Sequence, residues 1–149
     1  MGEFIAVLIH GECHFHNVTY SLLWEPSPAE IHARACTCTF CTKHGGVWAS
    51  HPPGILKITI YDPNAVSKYS FGTRTAEFHV CSKCGCVPLV SSTIEGRMYA
   101  VVNVNSFENQ PSTLVRRAPV THAGEDEATR LARRARNWIG NVEVVHGGT

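Results

Sequence analysis

Three of the seven cysteines of this chain fall within six residues, Cys36-Thr37-Cys38-Thr39-Phe40-Cys41. This C-x-C-x-x-C spacing lets three thiols face a single soft metal ion, and zinc is the usual metal in such sulfur-rich sites. A tetrahedral ion bound here must take its fourth ligand from elsewhere. A fourth protein ligand would make the site structural, whereas a position open to water or substrate would make it catalytic.

The number of cysteines is odd, so they cannot all pair within one chain. Tight cysteine spacing is typical of metal ligation rather than of a secreted disulfide framework, and it indicates a reducing compartment, which we expect to be the cytoplasm. The apolar run at residues 4–9 is too short for a signal peptide or a membrane span. With a formal net charge of +1, we expect neither nucleic acid nor membrane as a partner.

Hydrophobic patterning predicts a mainly β fold of short antiparallel strands. The runs at 17–24 and 55–61 alternate with a period of two, those at 4–10 and 47–51 indicate short strands, and 66–80 and 87–104 resemble hairpins. Near the end, apolar residues recur with helical spacing over about 125–139, with acids first, arginines later and Gly140 as the stop. We expect the arginines of this amphipathic helix to face solvent. The 149 residues predict a single domain, and this helix forms its C-terminal extension.

A second cysteine motif, Cys81-Ser82-Lys83-Cys84-Gly85, forms a C-x-x-C-G turn. Two thiolates of such a turn can chelate one zinc ion, and this arrangement is most often structural. Cys13, in a turn opened by Gly11, is the expected third ligand. The residues leave the fourth ligand open, with His14, His16 and Cys86 as candidates.

Three motifs follow one another along the chain: Gly11-x-Cys13-His14, Cys36-x-Cys38-x-x-Cys41, and Phe78 before Cys81-x-x-Cys84-Gly85. Taken in order, they resemble those of the glutathione-dependent formaldehyde-activating enzyme family, which includes centromere protein V. The resemblance spans about residues 10–105 and implies the Mss4-like β fold with one or two zinc ions per chain. It implies a structural zinc at Cys13, Cys81 and Cys84 and a catalytic zinc at Cys36, Cys38 and Cys41. It also implies a carbon–sulfur lyase or synthase acting on aldehyde–thiol adducts such as S-hydroxymethyl glutathione.

One position departs from the family pattern, because the second early cysteine of the family falls on Phe15, which cannot bind metal. His16 is the favoured replacement because the reach of its imidazole can offset the altered position. Lys43 and His44, close to Cys41, are possible helpers that would hold a substrate carboxylate or a proton. The alternative function is a non-catalytic zinc module that acts in protein interactions.

Overall fold

The computed structural model describes residues 7–24, 31–111 and 113–147. Residues 4–6 of the first expected strand and the proline-containing break at 25–28 lie outside these ranges. Within the described ranges the elements are β1 (Val7–Glu12), β2 (Val18–Trp24), β3 (Ile31–Ala35), α1 (Thr39–His44), β4 (Val47–Ala49), β5 (Ile55–Ile60), β6 (Val66–Tyr69), β7 (Glu77–Cys81), β8 (Leu89–Ile94), β9 (Arg97–Asn103), β10 (Leu114–Arg116), α2 (Glu127–Asn137) and β11 (Asn141–His146), with short 3₁₀ turns at Pro63–Ala65 and Val104–Ser106.

The strands form two sheets, a four-stranded one in the order β1-β2-β5-β11 and a seven-stranded one in the order β10-β3-β4-β9-β8-β7-β6. The prediction of a mainly β fold with one C-terminal amphipathic helix is confirmed. Two pairs depart from the antiparallel expectation, since β10 runs parallel to β3 and β11 runs parallel to β5. Both strands arrive after long connections rather than tight turns, and only such connections allow parallel pairing.

The main core lies between the two sheets. In β2 the side chains of Val18, Tyr20, Leu22 and Trp24 are buried at alternate positions, because successive side chains of a strand point to opposite faces. They belong to one buried cluster with residues of the seven-stranded sheet such as Leu89. Complete burial of each large aliphatic side chain contributes about 1.5–3 kcal/mol.

The seven-stranded sheet also buries its other face. Val90 of β8 and Val101 of β9 belong to a second buried cluster with Phe78 and Cys41. Cys36, Cys38 and Trp138 pack against this cluster. The first cysteine motif therefore lies against the far face of the large sheet, on the side that α2 approaches.

The C-terminal segment is part of the fold rather than an appendage. Strand β11 pairs with β5 along its whole length, and Ile139 is fully buried, with its backbone N–H and C=O both bonded to Ala100 at 3.0 Å. Helix α2 ends at Asn137, with Trp138 already extended, so Gly140 does not provide the stop. Neither described helix has the length and apolar character needed to cross a membrane.

Candidate metal centre

The three cysteines of the first motif converge. The sulfur atoms of Cys36, Cys38 and Cys41 all lie within 4.8 Å of one another. Tetrahedral zinc with Zn–S distances of about 2.3 Å would place them about 3.8 Å apart, so small adjustments bring all three onto one ion. The donor set therefore fits a metal, and no other described cysteine, histidine or carboxylate joins this group.

Local backbone structure holds these sulfurs together. Strand β3 ends just before Cys36, and Cys38 caps the short helix α1, with its sulfur accepting a hydrogen bond from the backbone N–H of Cys41 at 3.3 Å. Helix α1 ends at Gly45, which has a φ of 75° that glycine adopts without strain. No pattern in the sequence predicted this helix within the cysteine motif.

The pKa values of two of these thiols are shifted in opposite directions. A hydrogen bond from Cys41 and the backbone N–H of Cys38 lower the pKa of Cys36 to about 5, against the opposing effect of burial. The same contact with Cys36, together with burial, raises the pKa of Cys41. Cys36 is therefore ready to act as a thiolate ligand, while metal binding at Cys41 must release a proton.

A cavity of about 300 Å³ adjoins this cluster, and all three cysteines lie on its wall. This volume lies at the small end of the range for ligand sites in proteins. Part of the wall is apolar, with Trp48, Phe78 and Trp138 among its side chains. The other part is cationic, and among the described residues that line the cavity four are arginines and none is acidic: Arg34, Arg130, Arg133 and Arg134.

The packing of α2 departs from the expectation from sequence at its alanines and at three of its arginines. Its alanines at 128, 132 and 135 are exposed, whereas Arg130, Arg133 and Arg134 line the cavity. Alanine side chains bury too little apolar area to decide which face packs inward. Polar partners around the cavity decide it instead, so the prediction of a solvated arginine face is wrong for these three residues.

Arg134 is the most buried of these cations, with 7% exposure. Its Nη1 donates to Thr75 Oγ1 at 2.8 Å and to Ser92 Oγ at 3.2 Å, and its guanidinium lies 5.1 Å from the centre of the Trp138 ring. Its Nε is buried and has no hydrogen-bond partner among the described residues. Burial and the neighbouring arginines lower the pKa of Arg134 to about 10, so it remains a cation at neutral pH.

The nearby carboxylate is already engaged. Glu125 accepts hydrogen bonds from Arg133 Nε and Nη2, both at 3.1 Å, and forms an ion pair with Arg130 at 3.5 Å. These contacts, above all the hydrogen bonds from Arg133, lower the pKa of Glu125. No described carboxylate forms an ion pair with Arg134.

The expected helpers of this cluster lie away from its cavity, whereas a histidine that was not expected lines it. Lys43 is exposed, and His44 packs its ring 4.4 Å from that of Phe40 and borders a second cavity, so neither lines the first one. The sequence analysis missed His122, which lines the first cavity near enough to Cys36 for their charges to interact. No motif marks His122, because only the pairing of Val120 beside Cys36 brings it there.

The second cysteine cluster also forms. The sulfurs of Cys13, Cys81 and Cys84 lie within 4.8 Å of one another, so this group also fits a metal ion. The backbone N–H groups of Asn17 and Val18 donate to the Cys13 sulfur at 3.3 and 3.4 Å. Burial raises the pKa of Cys81, whereas at Cys84 backbone N–H groups outweigh burial and lower the pKa to about 6. All seven cysteines are free of disulfides.

The candidates for the fourth ligand of this cluster all border the second cavity, which has a volume of about 610 Å³. The thiol of Cys86 interacts with that of Cys84, whereas His16 Nδ1 lies 2.6 Å from Glu12 Oε1 and its side chain is 69% exposed. His14 is exposed, and Phe15 is 53% exposed. His16 forms a separate group that could hold a cation, with Glu12 and Glu108.

The fold and the two clusters define a mainly β protein with two cysteine groups that can each hold a metal ion. No protein-family model and no curated protein matches the chain. Among solved structures it is similar to a Rhodobacter sphaeroides protein whose crystal structure was determined as a structural-genomics target, with 27% sequence identity, a TM-score of 0.54 and coverage of 69% of this chain and 91% of that chain. This similarity supports the fold and assigns no activity.

Proposed function

We propose that this protein is a zinc-dependent carbon–sulfur lyase or synthase that acts on adducts of an aldehyde and a thiol, such as S-hydroxymethyl glutathione. The observation that carries the proposal is that Cys36, Cys38 and Cys41 share the wall of one cavity and no fourth described ligand joins them. A small molecule in the cavity therefore meets the sulfur cluster directly. The resemblance of the cysteine motifs to the glutathione-dependent formaldehyde-activating enzymes points to the same chemistry.

Zinc held by the three cysteines would supply a positive charge that favours the thiolate form of a substrate thiol. The side chains of Trp48, Phe78 and Val101 on the cavity wall exclude water from the reacting atoms. His122, also on the wall, would hydrogen-bond to the hydroxyl group of an adduct. The arginines attract an anionic substrate.

The reaction requires no oxidant or reductant. In the synthase direction, the substrate sulfur forms a bond to the carbonyl carbon, the C=O π pair moves to oxygen, and the proton lost by the thiol ends on that oxygen. In the lyase direction, the hydroxyl proton leaves, the C=O bond re-forms and the C–S bond breaks with its electron pair on sulfur. The cavity therefore has to bind, orient and dehydrate the reactants rather than supply electrons.

The test measures the rate of adduct formation from formaldehyde and glutathione by NMR, with zinc-loaded protein of known metal content. We expect a rate well above the uncatalysed background. Cys38→Ser should lose the zinc of the first cluster and lower the catalysed rate at least about tenfold, since loss of even an outer contact of a metal site costs that much.

Thr42→Ser is the matched control, because it introduces a serine close to the cluster at an exposed position of α1 that is not a ligand. It should retain both metal and rate. If the fully zinc-loaded protein gives only the background rate with formaldehyde and several thiols, the enzyme proposal fails and the non-catalytic zinc module becomes the better explanation.

A further inference from the structure

We propose that Arg134 binds a carboxylate group of the molecule that enters the cavity, so that the substrate thiol of this protein carries a carboxylate. The thiol part of this inference rests on the proposed function. The carboxylate site itself does not, because it is argued from the surroundings of Arg134 alone.

The first step is the unbalanced charge. Arg134 is 7% exposed, and arginines buried to this extent are almost always paired with an anion, because taking an unpaired charge out of water costs several kcal/mol. Its contacts at Nη1, Thr75 and Ser92, are neutral hydroxyl groups. They satisfy hydrogen bonds but leave the charge uncompensated.

The second step is that no acid in the described part of the chain is free to supply the missing charge. Glu125 is held by Arg133 through two hydrogen bonds at 3.1 Å and by Arg130 at 3.5 Å, so two cations already share one carboxylate. None of the described residues that line the cavity is acidic. None of the described acids is left to balance Arg134, so we infer that a bound molecule supplies the anion.

The third step is preorganisation. Ser92 Oγ donates to the backbone oxygen of Thr75 at 2.6 Å, and Thr75 Oγ1 bonds to Thr73 Oγ1 at 2.8 Å, so both hydroxyl partners of Arg134 are themselves fixed. The Trp138 ring lies against the guanidinium. The buried Nε is left without a partner, and a fixed guanidinium with a free N–H is a ready binding group for a carboxylate.

The class of anion follows from the shape of the guanidinium. Among the described residues, Arg134 is the buried cation of the wall that forms no ion pair with a carboxylate. The planar fork of a guanidinium matches a carboxylate, whose two oxygens can accept parallel hydrogen bonds. The cysteine cluster and Arg134 both line this cavity, so a thiol with a carboxylate would meet both groups in the same space.

The test compares two thiols that differ only in the acid, 3-mercaptopropionate and 3-mercaptopropionamide. Their binding to the zinc-loaded protein is followed by tryptophan fluorescence, because Trp48 and Trp138 line the cavity. We expect the acid to bind about 10- to 100-fold more tightly, the range for a hydrogen bond to a charged group. Arg134→Gln should remove this preference.

Arg136→Gln is the matched control, because Arg136 lies in the same helix but is exposed and does not line the cavity. It should keep the preference for the acid. Arg134→Lys retains the charge without the planar fork, and it should keep part of the preference if Arg134→Gln is too unstable to measure. Zinc content is measured for every variant.

Equal binding of the acid and the amide to the wild-type protein would overturn the inference, as would a preference that survives Arg134→Gln. A loss of zinc in Arg134→Gln would also overturn it, since Arg134 would then serve the cysteine cluster. Butyrate and butyramide, which have no thiol, separate this result from the proposed function. If butyrate binds in an Arg134-dependent way but the protein does not catalyse adduct formation, the carboxylate site is supported and the enzyme is rejected. If the protein catalyses adduct formation but does not prefer acids, the enzyme is supported and the carboxylate site is rejected.

Discussion

At the scale of single residues, the second cysteine cluster depends on which side chain provides the fourth ligand, because Phe15 stands where a cysteine was expected. The thiol of Cys86 interacts with that of Cys84, although the amide of His14 and partial burial act on its pKa in opposite directions. His16 instead uses its Nδ1 for Glu12 at 2.6 Å. These contacts make Cys86 a stronger candidate than His16 for the fourth ligand, while the sulfurs that lie within 4.8 Å of one another are those of Cys13, Cys81 and Cys84.

We therefore expect Cys86→Ser to weaken zinc binding at the second cluster about 10- to 100-fold, whereas His16→Ala should leave it unchanged. The measurement is zinc per chain after equilibration with a graded chelator. His14→Ala serves as a second control. Retention of zinc in Cys86→Ser together with its loss in His16→Ala would restore the histidine as the ligand.

Among the elements, the pairing of β1 with β2 places Gly11 directly opposite Tyr20. A Cβ atom on Gly11 would lie 2.1 Å from Cζ of the Tyr20 ring. That ring is buried, and its hydroxyl bonds to Ser106 at 2.7 Å, so it has little room to move. The glycine is needed for close approach and not for an unusual backbone angle.

Gly11→Ala should consequently lower the free energy of unfolding by at least about 2 kcal/mol, the usual cost of overpacking a well-packed site. Urea unfolding measures the effect. Gly72→Ala is the control, since its φ of 62° causes strain of about 1 kcal/mol but its Cβ would meet no atom within 4 Å. Equal losses in the two variants would show that Tyr20 moves aside at little cost.

For the molecule as a whole, the two clusters connect very different parts of the chain. Cys36, Cys38 and Cys41 belong to one short segment, whereas Cys13 follows β1 of the four-stranded sheet and Cys81 ends β7 of the seven-stranded sheet. A metal at the second cluster therefore ties the two sheets together. Closing such a long loop restricts the unfolded chain more than closing a short one.

Loss of the second metal should accordingly destabilise the protein more than loss of the first. We expect zinc-loaded Cys84→Ser to melt at least about 5 °C below the wild type, in keeping with a loss of about 2 kcal/mol. Cys38→Ser should shift Tm by less. Scanning calorimetry of both variants, with and without chelator, checks this order, and an equal or reversed order would contradict it.

The sequence by itself determined the elements that depend on local pattern. Alternating apolar residues place β2 and β5 almost as predicted, because a strand with one buried face repeats every two residues. Cysteine spacing likewise predicts the first cluster and the Cys81–Cys84 pair, because the backbone between these cysteines is short, whereas Cys13 meets that pair through the tertiary fold. Asp126, an acid at the start of α2, caps that helix.

Only the tertiary structure decided what faces the first cluster. Nothing local in the chain shows that Val120 pairs beside Cys36 and so brings His122 to the cavity, or that β11 returns parallel to β5. The periodicity of α2 contains both an alanine face and an arginine face. The arginine face packs inward because hydroxyl groups, Glu125 and an aromatic ring provide partners for the guanidinium groups. Long-range contacts of this kind depend on the whole fold, and they turn a generic cysteine motif into a cavity with a charged wall.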